Sequence, residues 1–437
     1  MTGASVRDSS QSRDASGSEA LYARALKVLP GGVNSPVRAM RSIGRDPIFV
    51  ASASGSHIRD VDHHDYIDWV CSWGPLILGH AHSEVVKAVT EAARRGTTFG
   101  APTAEEVELA EQICARLGSV EMVRMTSSGT EATMSAIRLA RAVTGRDEIL
   151  KFAGGYHGHV DGLLSEAGSG LATQGIPASP GVTAAAAAAT ITIPFNHPSA
   201  LDEALEHHRF AAAIVEPVPA NMGLVPAAEG FLARLQAGIR ANGGLLIADE
   251  VITGFRVAPG GGQALCGIDP DLTVMGKIIG GGLPAAAYGG RREYMERIAP
   301  AGDVYQAGTL SGNPLAVAAG LATLAHLDAD AYARIATVTE RLAAGLREAA
   351  ASAGRHDLAV RAVPGLVTPF FRSEAPQNYA EAQATDQVAY GAFCRALLER
   401  GVYPPPSQFE AWFPSTAHTD ADIDRTVEAA AEALAEI

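Results

Sequence analysis

The sequence predicts an α/β protein, with a large, mostly parallel sheet wrapped by helices and a smaller α+β domain after it. From about Ser83 onward, short apolar runs alternate with amphipathic stretches of helical period. The runs at 122–126, 149–152, 212–215, 245–248 and 272–275 are short and largely apolar, as parallel strands covered on both faces are. Beyond about residue 330 a long Ala/Leu/Arg helical stretch, a strand-like stretch at 360–372 and two more helices suggest the smaller domain. A chain of 437 residues with 47% hydrophobic composition has material for more than one structural unit.

In chain order, residues 1–18 are rich in Ser, Asp, Arg and Gly and read as a disordered tail. Residues 19–82 form an N-terminal arm, opening with a short helix at 19–29 that Pro30-Gly31-Gly32 stops, followed by an extended segment with Pro36 and Pro47. Residues 83–330 make up the large domain. Within it one helix carries Val107, Ala110, Ile113, Cys114 and Leu117 on a stripe. The alanine run at 184–189 reads as a mobile loop or a helix edge, and residues 331–437 form the small C-terminal domain.

The net charge of -14 argues against a nucleic-acid or anionic-membrane surface and leaves small molecules as the expected ligands. No apolar run has the length to cross a bilayer, and the first 18 residues lack the apolar core of a secretory signal. Cys71, Cys114, Cys266 and Cys394 form no CxxC pair, which fits reduced thiols in a cytoplasm. His80 with His82, and His157 with His159, lack further ligands at metal-binding spacing, so no metal site is expected.

Only four of the 34 basic residues are lysines: Lys27, Lys87, Lys151 and Lys277. This restricts the candidates for a nucleophilic amine, since arginine does not lose its proton. Lys27 and Lys87 lie on amphipathic helices, where a solvated role is ordinary. Lys151 sits in or at the end of a strand. Lys277 follows the run Leu272-Thr273-Val274-Met275 and precedes three glycines, at a strand end of the kind where open α/β sheets bind ligands. Alone it could equally be a structural lysine beside a glycine turn.

Its companions sharpen the reading. Leu245 to Ala248 is an apolar run that ends in Asp249 and Glu250, and a carboxylate there is costly to bury without a cation. A protonated pyridine nitrogen is such a cation; the alternative for Asp249 is a helix N-cap. Ser127-Ser128-Gly129-Thr130-Glu131 opens a helix, where amides and hydroxyls can cradle a phosphate or simply cap. Phe152-Ala153-Gly154-Gly155-Tyr156-His157-Gly158-His159 reads as a glycine loop carrying an aromatic and two histidines, and Tyr156 could stack on a ring or pack. Gly308-Thr309-Leu310-Ser311-Gly312-Asn313-Pro314 reads as a second helix start with phosphate donors.

These motifs, with Gly31-Gly32-Val33-Asn34-Ser35-Pro36-Val37-Arg38, Ser72-Trp73-Gly74-Pro75, Glu216-Pro217, Asn221-Met222-Gly223 and Pro406-Ser407-Gln408-Phe409-Glu410, resemble the pyridoxal-phosphate enzymes of fold type I in the class III aminotransferase group. Within that group the resemblance is to the glutamate-1-semialdehyde 2,1-aminomutases, and it runs from about Leu26 to Ile423. It implies a seven-stranded-type sheet and pyridoxal 5'-phosphate (PLP), cycling with its pyridoxamine form (PMP). Lys277 would carry the cofactor as an imine and act as general acid and base. Asp249 would bind the ring nitrogen, Ser128, Gly129 and Thr130 the phosphate, and Tyr156 and Asn221 the ring. Thr309 would reach in from a partner subunit, so a homodimer with shared active sites follows. Ser35, Arg38, Trp73, Ser169 and Glu410 would meet the substrate, Arg38 as a guanidinium fork for its carboxylate.

The implied reaction converts glutamate-1-semialdehyde, (S)-4-amino-5-oxopentanoate, to 5-aminolevulinate for tetrapyrrole synthesis without an outside amino donor. Gly168-Ser169-Gly170, followed by Pro177 and Pro180, resembles the family's gating loop. Ser127 stands where the family often has Asn. The competing readings are a class III omega-aminotransferase using an external donor and a catalytically silent binding protein on the same fold.

Overall fold

The computed structural model describes residues 15–164 and 179–437. A helix at Ser16–Ala25 opens the described chain, three residues ahead of the expected start at Glu19. Ser16 to Ser18 are held rather than loose there, because the Asp62 carboxylate accepts the N–H groups of Gly17 and Ser18 at 2.6 and 2.9 Å. Three strands follow, β1 (Val50–Ser54), β2 (His57–Asp60) and β3 (Asp65–Asp68).

The large sheet contains β4 (Met122–Thr126), β5 (Glu148–Phe152), β6 (Thr190–Ile193), β7 (Phe210–Val215), β8 (Leu245–Glu250), β9 (Leu272–Met275) and β10 (Ala286–Gly290), in the order β4-β10-β9-β8-β7-β5-β6. Only β10 runs against the rest; it is antiparallel to both β4 and β9, whereas β9, β8, β7, β5 and β6 pair in parallel. Every residue of β7 and β8 is buried, which the apolar content of β7 and of Leu245 to Ala248 allows; the carboxylates of Asp249 and Glu250 at the end of β8 are instead held by hydrogen bonds. Helices cover the sheet. The Gly129–Thr144 helix buries Ala132, Ala136, Ile137 and Ala140 against it.

One predicted stripe is rotated. In the helix Ala104–Arg116 the core-facing row is Leu109, Ile113 and Leu117, while Val107 is 57% exposed. Two residues turn the helix by about 200°, so Val107 and Leu109 cannot share a face. The alanine run takes the helix-edge option, as the short helix Ala184–Ala188.

The C-terminal part holds the helix Ala329–Ser352, the antiparallel hairpin of β11 (Ala359–Val363) and β12 (Leu366–Phe370), the helices Tyr379–Gln383, Gln387–Glu399 and Asp420–Glu436, and the short strand β13 (Val402–Tyr403). β13 pairs in parallel with β3 and completes a four-stranded sheet ordered β1-β2-β3-β13. The N-terminal arm and the C-terminal part therefore share one core, in which Ile43, Tyr66 and Trp69 pack with Leu342, Leu346, Phe393, Leu397 and Trp412. No helix among the described residues is long and apolar enough to cross a membrane.

Candidate active site

The carboxyl ends of β8 and β9 deliver Asp249 and Lys277 to one cavity of about 570 Å³, between the large sheet and the segments packed over it. Ser35, Trp73, Gly129, Thr130, Tyr156, Asn221 and Glu410 line the same cavity, so most of the expected residues converge there from widely separated parts of the chain.

Lys277 follows the extended Gly276 and has φ of 51°, a left-handed conformation that a non-glycine residue holds only where its surroundings fix it. Its Nζ donates to the Trp73 carbonyl at 2.7 Å and lies 5.8 Å from the centre of the Phe413 ring. Burial lowers the basicity of this amine to a pKa of about 8; Glu410, Glu216 and Asp249 pull the other way, and the Arg256 charge adds to the lowering. A lysine of that basicity is about one-tenth unprotonated at pH 7, far more than an ordinary lysine, and can both attack and carry protons.

Asp249 is 4% exposed, and no Lys or Arg side chain forms an ion pair with it among the described residues. Its Oδ1 accepts the Val251 N–H at 3.0 Å and its Oδ2 meets His157 Nδ1 at 2.8 Å. A capping role is thus only a small part of what this carboxylate does, and its position on the cavity leaves it facing whatever fills that space.

The helix Gly129–Thr144 begins with a capping box. Ser128 Oγ accepts the Glu131 N–H at 3.3 Å, and the Glu131 carboxylate accepts those of Ser127 and Ser128 at 2.7 and 2.9 Å. The Ser128 side chain is therefore committed to the cap and does not line the cavity, whereas Gly129 and Thr130 do. Backbone approaches closely here. A Cβ added to Gly158, whose φ is +82°, would lie 2.6 Å from Thr130 Oγ1, and one on Gly129 would lie 3.3 Å from Val251. The Thr130 hydroxyl accepts the His159 N–H at 3.3 Å, tying the aromatic loop to the helix start.

Two residues to which the sequence reading gives no role in the site prove to organise it. Glu216, at the end of β7, is buried; its carboxylate accepts the N–H of Tyr156 at 3.0 Å, that of Ala220 at 3.0 Å and Asn221 Nδ2 at 2.8 Å. Burial raises the pKa of Glu216, with the Asp249 charge adding to the rise and His157 opposing it. His157 is the other, through Asp249. The signal for both was present: a polar residue closing an apolar run, and a histidine beside the candidate aromatic.

Two further expected residues do not line the cavity. Arg38 is exposed on a short 3₁₀ turn, Pro36–Ala39, next to the cavity-lining Ser35, Pro36 and Val37. Thr309 is exposed and does not line the cavity of its own chain. Ser169, with the loop around it, falls outside the described residues.

The donor set suits PLP: a buried carboxylate for a cationic ring nitrogen, an amine of lowered basicity, and N–H groups at a helix start for a phosphate, where small glycines leave room. The chain matches the profile of Aminotransferase class-III over residues 40–434. It is 54% identical over 420 residues to a glutamate-1-semialdehyde 2,1-aminomutase of Desulfitobacterium hafniense, covering 95% of this chain and 97% of that one. Among solved structures, an omega-transaminase from Sphaerobacter thermophilus is similar with a TM-score of 0.89 and 35% identity, over 96% of this chain and 97% of that one. A glutamate-1-semialdehyde-aminomutase from Pseudomonas aeruginosa PAO1, a variant of which was solved in complex with PMP, superposes with a TM-score of 0.85 at 30% identity, over 96% and 94%. The chain belongs to the class III aminotransferases and, within them, to the glutamate-1-semialdehyde 2,1-aminomutases.

Proposed function

We propose that the protein converts glutamate-1-semialdehyde to 5-aminolevulinate, by PLP-dependent transfer of an amino group within one small molecule, as a step toward tetrapyrroles. The observation that carries this is the convergence of Lys277 and Asp249 on a cavity also lined by Ser35, Trp73 and Glu410. Fold similarity does not separate this reading from an omega-transaminase, since both would use the lysine, the aspartate and the phosphate cradle. The 54% identity to an aminomutase over nearly the whole chain favours the mutase.

When bound, PLP supplies an aldehyde that exchanges an amino group and a ring that withdraws electrons from the reacting carbon. The protein's own groups do the rest. Asp249 would hold a proton on the ring nitrogen, with His157 orienting the carboxylate. Gly129 and Thr130 would offer N–H and hydroxyl donors to the phosphate, with Thr309 of a second copy completing the cradle. Tyr156 would stack on the ring, and Asn221, held by Glu216 at 2.8 Å, would face its hydroxyl. Lys277, released from the Trp73 carbonyl, would move the proton between the exchanging carbons.

Ser35, Trp73 and Glu410 would orient the substrate. Arg38 would reach over the cavity from its exposed turn to meet the substrate carboxylate bidentately, and Ser169 would also meet the substrate. A homodimer accounts for the exposed Tyr305, Leu310, Phe99 and Val107, which are 73, 50, 52 and 57% exposed, two of them flanking Thr309. The protein would work in a cytoplasm.

The test is 5-aminolevulinate formation from glutamate-1-semialdehyde alone, compared with the same mixture containing an external amine. Product in the donor-free tube supports the mutase. Turnover only with the added amine would move the assignment to an aminotransferase.

A further inference from the structure

We propose that Arg256 is a positioning residue for this reaction: it fixes the Trp73 carbonyl that receives the Lys277 amine and sets a permanent positive charge near that amine. The inference deepens the reading above and rests on it for the role of Lys277.

Arg256 is fully buried, and no carboxylate forms an ion pair with it among the described residues. A buried guanidinium without a counter-charge is costly, so its retention calls for a compensating use. Its N–H groups donate to three carbonyls from three parts of the chain: Gly74, Gly365 at 3.2 Å and Pro414 at 3.0 Å. Burial lowers its own pKa to about 10, which still leaves it charged at neutral pH.

The Gly74 contact is the informative one. Cys71, Ser72 and Trp73 have φ of 45, 57 and 68°, a run of left-handed non-glycine residues that needs support at both ends. Asp68 grips the start, accepting the N–H groups of Val70 at 2.8 Å and Cys71 at 3.1 Å. Arg256 grips the end through Gly74. Between the two grips lies the Trp73 carbonyl, 2.7 Å from Lys277 Nζ.

Phe413 links the two cations, with Arg256 Cζ 5.2 Å and Lys277 Nζ 5.8 Å from its ring centre. The charges facing the amine are Glu410, Glu216 and Asp249, which favour its protonated form, and Arg256, which opposes it together with burial. Removing the guanidinium therefore raises the amine's basicity and loosens the turn that holds it.

The small number of lysines makes this measurable. In the full-length chain freed of cofactor, carbon-13 labelling of lysine gives four side-chain signals, and Lys277→Ala assigns the one of interest. The expected result is a wild-type Lys277 midpoint well below those of Lys27 and Lys87. Neutral Arg256→Met and Arg256→Gln should raise it by about one pH unit, while Arg256→Lys leaves it near wild type. The pH at which the holoenzyme's visible band changes should move in the same direction.

A wild-type Lys277 that titrates with Lys27 and Lys87 overturns the proposal without any Arg256 variant having to fold. So does a neutral variant that keeps a cooperative thermal transition and an unmoved midpoint. Donor-free turnover tests the parent reading separately: no turnover with the expected midpoints sinks the mutase assignment alone, and turnover with unmoved midpoints sinks the role of Arg256 alone.

Discussion

Asp249 Oδ2 lies 2.8 Å from His157 Nδ1, and the other nitrogen of this buried ring has no hydrogen-bond partner among the described residues. That single contact ties the ring to the carboxylate and fixes how the carboxylate is turned toward the cavity. Asp249→Asn should lower kcat by at least about 100-fold, the scale seen when one preorganised electrostatic partner is removed. His157→Gln, which acts through Asp249, should cost about 10-fold to 100-fold, as orienting partners do elsewhere. Steady-state rates with saturating PLP check both, and equal losses in the two variants would contradict the assigned order.

The lowered basicity of Lys277 has a consequence for stability. Its folded pKa of about 8 lies below the ordinary 10.5, so between those values the unfolded chain binds more protons and stability rises with pH. Below about pH 8 the folded state carries the full cost of a charged, partly buried amine. Lys277→Met should remove that cost, so its stability relative to wild type is greatest at pH 7 and declines as pH rises from about 8 to 10.5. Thermal unfolding of the cofactor-free proteins across that range is the check, and a difference that does not vary with pH would contradict it.

Gly158 meets Thr130 at the helix start with no room for a methyl group. An added Cβ would sit 2.6 Å from Thr130 Oγ1 and 2.8 Å from its Cα, at a φ of +82°. Gly158→Ala should displace Thr130 and weaken PLP binding by about 10-fold or more, since strain of this kind costs on the order of 1–3 kcal/mol. A cofactor titration followed by absorbance measures the change.

Glu216 accepts three N–H donors with two oxygens. A glutamine offers only one oxygen, so in either orientation at least one buried donor faces an NH₂ group. Glu216→Gln should cost about 1–3 kcal/mol in denaturant unfolding. It should also loosen Asn221 and the Tyr156 loop, raising the PLP dissociation constant.

The site was legible where its residues close apolar runs. Lys277 after β9 and Asp249 at the end of β8 stand out because a polar residue follows buried strand sequence, and the capping box at Ser128 is a local pattern. Strand β10 was not legible: its sequence AAYGG has no β-branched residue, and Gly290 is small because its neighbours demand it, an added Cβ lying 2.4 Å from the Asp271 carbonyl. The arm's strands β1 to β3 hid for another reason. They are short and partly polar, and the sheet is completed by β13, more than three hundred residues later in the chain. Arg256 comes shortly after the apolar run that ends in Asp249 and Glu250, yet its partners are backbone carbonyls, which leave no mark on side-chain identity.

The central claim is that Lys277 bonds to the cofactor, and the most direct measurement is borohydride reduction of the PLP-loaded enzyme followed by peptide mass analysis. With only four lysines the outcome is unambiguous. The account predicts a single reduced cofactor adduct on the peptide containing Lys277, absent in Lys277→Ala. An adduct on Lys151, or none on any lysine of a protein that has taken up PLP, would contradict it.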